Sequence, residues 1–316
     1  MQSPPTPRIS IVLEWENALK AGERRAEAML DQLALQSREI CSGADPCIEL
    51  ISVFDPSAIE VQHLRDLVER KLSAASQHVA RSYLSADGKD YYVMKNLGAR
   101  AARAPLIMFL DSDVIPEPRW LAELLATCDT VPDAGVVTST IYLESQGLSS
   151  ATLALIWVFP LRPDRAAVVP CRDMRTNSTV FRRDVALAHP FSEVAGTARS
   201  SCALLTQELL GAGVQMVRTT SSRLEHPSVH GIEFFARAIA RGRDAVVAGK
   251  RPWRVKFAVE IRTKMAVLIR QHKMVGIASW QLPAAVGIAV TWWVLNIGGA
   301  VATLVAPRFM RRHFLL

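Results

Sequence analysis

Three short apolar runs limit what this chain can fold into. ISIVL (Ile9–Leu13), IELISVF (Ile48–Phe54) and LIMFL (Leu106–Leu110) are too short for ordinary helices, and each reads as a strand buried on both faces. Gly135–Ile141 is again strand-like. Stretches of helical spacing lie between these runs. Asn17 to about Glu39 repeats Leu19, Ala26, Met29, Leu30 and Leu33, and Ile59–Ser73 and Trp120–Cys128 follow the same period. The stretch YYVMKNLGARAARA turns helical from about Lys95. Strand–helix alternation with short connections predicts an α/β fold, a mostly parallel sheet with flanking helices. Ligands of such sheets bind at the carboxyl ends of the strands. Asp55 and Asp111-Ser112-Asp113 each follow an apolar strand and are expected to converge on one crevice.

Asp111-Ser112-Asp113 is the sharpest local signal. Two carboxylates two residues apart, on a turn leaving a buried strand, can share a hard divalent cation such as Mn2+ or Mg2+. Such a metal takes oxygen ligands and commonly completes its sphere with substrate phosphates. There it would neutralise a departing diphosphate. An isolated Asp-x-Asp also occurs in solvated turns; LIMFL before it and VIPEPRWL after it make this one more specific.

Four segments across about residues 8–230 resemble the family 2 glycosyltransferases, which have the Rossmann-like GT-A fold. SIVLEWEN (Ser10–Asn17) takes the place of the first strand and its nucleotide-binding turn, and VFDPS (Val53–Ser57) that of the second. KNLGARAARAPLIMFLDSDVIPEPRWL (Lys95–Leu121) is similar to the longest family signature. NSTVFRRDVAL (Asn177–Leu187) resembles the acceptor-side segment, followed by Ala212-Gly213 and His226. The resemblance implies transfer of a sugar from a nucleotide-diphosphate donor to a hydroxyl acceptor, with inversion. It implies Asp113 as principal metal ligand, Asp111 on the ribose or the metal, His226 as a further metal or diphosphate contact, and Asp55 on the nucleobase. Lys95 begins a helix whose N-terminus is expected to face anionic groups.

The departures from the family are as informative. The family's Pro-x-Tyr-Asn reads Glu14-Trp15-Glu16-Asn17 here and keeps only Asn17. Glu14 or Glu16 could accept hydrogen bonds from a base edge or ribose, or could be acids stabilised at a helix N-terminus. The family's Glu-Asp pair, whose Asp is the general base, is replaced by Ser201-Cys202. Neither is an adequate substitute for that work. The remaining carboxylates for the role are Glu193, Glu208 and Asp173. The alternative is a non-catalytic relative that binds a nucleotide sugar or scaffolds a membrane complex. The processive-synthase QxxRW motif is absent, which favours single-sugar transfer.

Charge separates the C-terminal quarter from the rest. Of the formal +7, residues 1–236 carry −5. Arg237–Lys273 holds eleven Lys/Arg against Asp244 and Glu260, and Arg308, Arg311 and Arg312 follow. That excess lies beside the charge-free run Val275–Pro307, of which Ala284–Ala306 is long enough to cross a bilayer. The pairing points to an anionic membrane surface and away from nucleic acid. Expected divisions are a GT-A domain at 1–230, basic amphipathic helices at 231–274, a transmembrane or membrane-embedded segment at 275–307 and a basic tail at 308–316. MQSPPTPRIS lacks the pattern of a secretory signal. The expected location is therefore the cell membrane with the catalytic domain on its cytoplasmic side, acting on a lipid-linked or cell-envelope glycan. Cys41, Cys47, Cys128, Cys171 and Cys202 are odd in number and form no CxxC pair, which fits a reducing compartment.

Overall fold

A computed structural model describes residues 6–41, 43, 46–157, 159–193, 201–247 and 252–314. Along the chain the elements are β1 (Ile9–Glu14), α1 (Glu16–Ala21), α2 (Glu23–Ile40), β2 (Ile48–Phe54), α3 (Val61–Leu72), β3 (Val79–Ser85), α4 (Tyr91–Ala101), β4 (Leu106–Asp111), β5 (Ile115–Pro116), α5 (Trp120–Thr130), β6 (Val136–Leu143) and α6 (Gly147–Ile156). They continue as β7 (Val168–Pro170), β8 (Ser178–Arg182), α7 (Arg183–Ala188), α8 (Ser201–Gly211), β9 (Met216–His226), α9 (Gly231–Val247), α10 (Trp253–Gln271), α11 (Leu282–Val305) and α12 (Pro307–His313).

The chain forms two compact units. The first comprises residues 1–141, 163–193 and 202–226; the second comprises 142–162, 194–201 and 227–316. In the first, the sheet runs β3-β2-β1-β4-β8-β6-β9-β5, with β7 against β9. β3, β2, β1 and β4 are mutually parallel, while β8 pairs antiparallel with both β4 and β6. The three apolar runs are the three central parallel strands, and every residue of β1, β2 and β4 is buried. β1 and β4 end level and β2 runs one residue further, since Glu14 lies in register with both Val53 and Asp111. The crevice expected at their carboxyl ends therefore has a common floor.

Local departures from the sequence pattern have local causes. The helix expected over Asn17–Glu39 is two helices, because Gly22 takes φ +92 between α1 and α2, a backbone conformation that favours glycine. α4 starts at Tyr91, one turn before Lys95. β3 escaped notice because VARSYLS is a half-exposed outer strand carrying Arg81. A disulfide joins Cys41, at the end of α2, to Cys47, before β2. This pair departs from the expectation that the cysteines fit a reducing compartment; Cys128, Cys171 and Cys202 are free and buried.

The second unit is helical. α11 packs along α9, and α6 packs against α10 and α11, with Trp292 in ring contact with Trp157 and Phe234.

In the first unit α4 lies directly on β1 and β2. Gly98 makes this approach possible, because a Cβ there would overlap the side chain of Val12, which is completely buried. Gly98→Ala is expected to lower stability by about 1–3 kcal/mol from overpacking, despite alanine's better helix propensity. Adding Val12→Ala should recover part of the loss. Chemical denaturation of the two variants checks this; an unchanged Gly98→Ala midpoint would contradict the close packing.

Candidate active site

Strand register creates an electrostatic problem at the crevice floor. Glu14 and Asp111 end neighbouring strands opposite each other, and both are buried. Burial, then the adjacent Asp111 charge, pushes the Glu14 carboxyl well above its usual range. Burial also pulls the Asp111 carboxyl upward, but the Lys95 ammonium, with the Tyr91 hydroxyl, outweighs it and holds Asp111 below its usual range.

Four side chains satisfy Asp111. Lys95 Nζ donates to Oδ1 at 2.7 Å and Tyr91 Oη donates to the same oxygen at 2.5 Å. Asn177 Nδ2 and Asn17 Nδ2 donate to Oδ2 at 2.5 and 3.1 Å. Asn17 also bridges back to Glu14 Oε1 at 2.8 Å, while Glu14 Oε2 accepts the backbone N–H of Glu16 at 2.9 Å. Two carboxylate oxygens offer about four acceptor sites, and these four donors account for them. Asp111 is the centre of a buried network, where the sequence suggested a ligand of ribose or metal. Lys95, wholly buried, pairs with Asp111 at 2.7 Å. Glu14 closes its own turn.

The rest of the turn is also tied down. Ser112 Oγ accepts the backbone N–H of Ala18 at 2.8 Å. The carbonyl of Asp113 accepts from Arg25 Nε at 2.7 Å, and the same guanidinium donates to the carbonyl of Glu225 at 3.3 Å. Arg25 therefore fastens the Asp113 turn to the end of β9, which carries His226. The β5–β9 register pairs Ile115 with Glu225 and Pro116 with Leu224, so His226 follows the last paired residue of β9 while Asp113 and Val114 lead into β5. Tyr91, Asn177 and Arg25 were not singled out by sequence. Tyr91 and Asn177 lie within segments noticed for other reasons, and Arg25 had no local signal.

Asp113 and His226 together suit a divalent cation: one hard carboxylate and one imidazole, on elements held by a common clamp. Among the described residues no group of three or more His, Cys, Asp or Glu is placed to enclose a metal. A cation here would take its remaining ligands from substrate oxygens and water, the usual pattern for Mg2+ at phosphate sites.

A cleft of about 300 Å3 is lined among others by Trp15, Glu16, Asp55, Ile59, Lys89 and Met94. Asp55 is solvent-facing. Its Oδ1 accepts the hydroxyl and the backbone N–H of Ser57, both at 2.8 Å, which hold the carboxyl below its usual range. Asp55 and Glu16 therefore share one opening, whereas Asp111, Glu14 and Lys95 lie beneath it.

The structure does not restore a carboxylate at the Ser201-Cys202 position. Cys202 is buried, its Sγ donates to the carbonyl of Met174 at 3.1 Å, and burial pushes its thiol upward. Glu193 Oε1 accepts from Asn96 Nδ2 at 2.9 Å, next to Lys95. Asp173 Oδ1 accepts from Arg218 Nη2 at 2.7 Å, four residues before Asn177. Glu208 pairs with His189 at 2.7 Å. It lies six residues along α8 from Cys202, a rise of about 9 Å.

Residues 39–184 match the family model for Glycosyl transferase family 2. Among solved structures, S. aureus TarS residues 1–349 in complex with UDP superposes with a TM-score of 0.50 at 11% identity, over 96% of this chain and 87% of that one. The mannosyltransferase PcManGT from Pyrobaculum calidifontis, in complex with GDP-Man and Mn2+, gives 0.53 at 15% identity, over 98% and 86%. At such identities the likeness is one of fold. No curated protein sequence matches the chain.

Lys95→Met is expected to cost about 3–5 kcal/mol at neutral pH, the usual result of leaving a buried charge without its partner. The loss should shrink on acidification. The wild type loses the Asp111 contribution as pH falls through that group's lowered titration, while in the variant Asp111 takes up its proton at higher pH. Denaturation curves at several pH values measure it; a loss that does not vary with pH would contradict the pairing.

Proposed function

We propose that the protein transfers one sugar from a nucleoside-diphosphate donor to a hydroxyl group, a reading supported by the match of residues 39–184 to the Glycosyl transferase family 2 model and by the GT-A fold. The observation that carries the reading is the Asp111-Ser112-Asp113 turn at the carboxyl end of β4, with the His226 charge acting on Asp111 and a cleft lined by Asp55 and Glu16 at the ends of the neighbouring strands. The ligands of the structural neighbours, UDP and UDP-GlcNAc for TarS and GDP-Man for PcManGT, support a nucleotide-sugar donor. Nucleobase and ribose would occupy the cleft against Trp15, within reach of Asp55 and Glu16. The diphosphate would then lie toward Asp113 and His226. A divalent cation on those two residues would supply positive charge against the charge developing on the leaving group. Asp111 and Lys95 position the turn without touching substrate.

In the inverting reaction the acceptor oxygen forms its bond to the anomeric carbon as the bond to the diphosphate oxygen breaks. The acceptor proton passes to a carboxylate, and the nucleoside diphosphate leaves. Glu193 is our choice for that base, since it is half-exposed and held by Asn96, next to the buried network. Asp173 ranks second and Glu208 third. The acceptor is a lipid-linked or cell-envelope glycan, reached at the membrane to which the C-terminal helices attach. The alternative is a nucleotide-sugar-binding protein without transfer activity, favoured by Cys202 standing where the family carries its base.

Donor hydrolysis across a panel of nucleotide sugars, with and without Mn2+ or Mg2+, tests the first half. Metal-dependent release of one nucleoside diphosphate is expected, falling by at least about 100-fold in Asp113→Ala. Full turnover in that variant would remove Asp113 from the site. Once an acceptor is in hand, Glu193→Gln should reduce transfer by about 100-fold or more, the scale of lost general-base catalysis. Glu208→Gln should leave it unchanged. The reverse pattern would reject our choice of base.

A further inference from the structure

Resting on the membrane reading above, we propose that α11 lies along the plane of an anionic lipid surface, immersing one face, and does not cross the bilayer. Length and composition alone would allow a span, since Ser279–Val305 is continuous and apolar enough to cross. The two faces of the helix argue otherwise. Ala285, Ala289, Trp292, Asn296, Gly299 and Thr303 are buried, whereas Val290, Val294, Ile297, Val301 and Leu304 are exposed. Both sets recur every three or four residues, so one stripe faces protein and the opposite stripe is bare and uncharged.

The protein-facing stripe cannot leave its partner. A Cβ on Gly299 would fall on the carbonyl oxygen of Ile239, and one on Gly242 on the carbonyl oxygen of Asn296. The backbones of α9 and α11 are thus in contact, and wherever α11 goes α9 follows. α9 is not a membrane-core helix. It carries Glu233, Arg237, Arg241, Arg243 and Asp244, with Arg237 paired to Glu233 at 3.0 Å and Arg241 to Glu260 of α10 at 2.7 Å. Taking those charges to mid-bilayer depth beside a crossing α11 would be costly.

The chain beyond α11 gives an independent argument. It turns at Pro307 into α12 and comes back, so that Arg243 Nη1 donates to the carbonyl of Phe314 at 2.6 Å. The neighbouring Gly242 touches Asn296 and Ala300. Phe314 therefore returns alongside the C-terminal half of α11. In a crossing helix this return would draw Arg312 back toward hydrocarbon; in a helix lying flat it stays among headgroups.

The occupant of the bare stripe follows from its surroundings. It is continued by exposed Trp280 before the helix and Phe309 after it, at 81% and 56% exposure. Both ends are cationic, with Lys273 on one side and Arg308 and Arg312 on the other. On α10, exposed Val255, Val259 and Ile269 alternate with Arg254, Arg262 and Arg270. A second copy of the chain would meet this rim with its own positive charge, whereas an anionic lipid surface complements it.

The test measures depth along the helix. Cysteines replace Gly287, Val294 and Val301 one at a time in the full chain, each carrying an environment-sensitive fluorophore. All three positions are exposed, a side chain at Gly287 enters open space, and the native thiols are buried. The protein is bound to vesicles of phosphatidylglycerol and phosphatidylcholine that contain lipids quenching at two acyl depths. Equal, shallow depth at all three positions is expected. A crossing helix would put Val294→Cys deeper than its neighbours by up to about 10 Å, seven residues of helical rise, and would overturn the proposal. So would failure to bind the vesicles, or shielding of the labels in lipid-free solution together with a doubled mass. Donor hydrolysis in the same preparations, in detergent, keeps the catalytic reading separate from each of these outcomes.

Discussion

The ion pair between Lys95 and Asp111 is the interaction on which the catalytic end of the sheet depends. Parallel register sets Glu14 beside Asp111, and two carboxylates cannot both be buried there without compensation. Lys95, reaching from α4, supplies it, with Tyr91 lying under the ammonium at 4.6 Å from ring centroid to Nζ. Buried pairs of this kind contribute little net stability, because desolvation offsets attraction. What they provide here is a rigid turn. With Asp111, Ser112 and the Asp113 carbonyl all held, the Asp113 carboxylate is presented from a backbone that has little freedom to move.

This arrangement divides the labour within the Asp-x-Asp motif. The first carboxylate faces inward and organises, while the second follows on the turn that leads into β5, which pairs with the end of β9 just before His226. Arg25 contributes by gripping the carbonyls of Asp113 and Glu225 with one guanidinium. The two residues best suited to a cation thus come from distant parts of the chain but share a single fastening.

Much of the fold was legible in the sequence because buried parallel strands have a plain signature, and the three apolar runs proved to be β1, β2 and β4. The acidic turn was legible for the same reason. The roles within it were not. Whether Asp111 faces a ligand or a lysine depends on strand register and on contacts with Asn177, 66 residues away, and Tyr91, 20 residues away. Periodicity carries no such information. Gly22 marked a break that the apolar spacing ran straight through, and β3 was masked by its position at the edge of the sheet. At the C-terminus the charge-free run was obvious. Hydropathy sums residues around a helix, however, and cannot say that half of α11 is already spent on α9.

Gly98 has a reach beyond its own packing. The missing methyl acts as a gauge for how deeply α4 seats on the sheet, and the ammonium of Lys95 lies one turn back on that helix. Neutralisation at the floor of the site is thereby geared to a contact between a glycine and Val12, neither of which meets a ligand. Sequence drift along this seam would register as a change in local charge balance. The site's electrostatics and the steric fit of one helix on one strand must therefore vary together, and selection acting on the first is expected to leave its trace on the second.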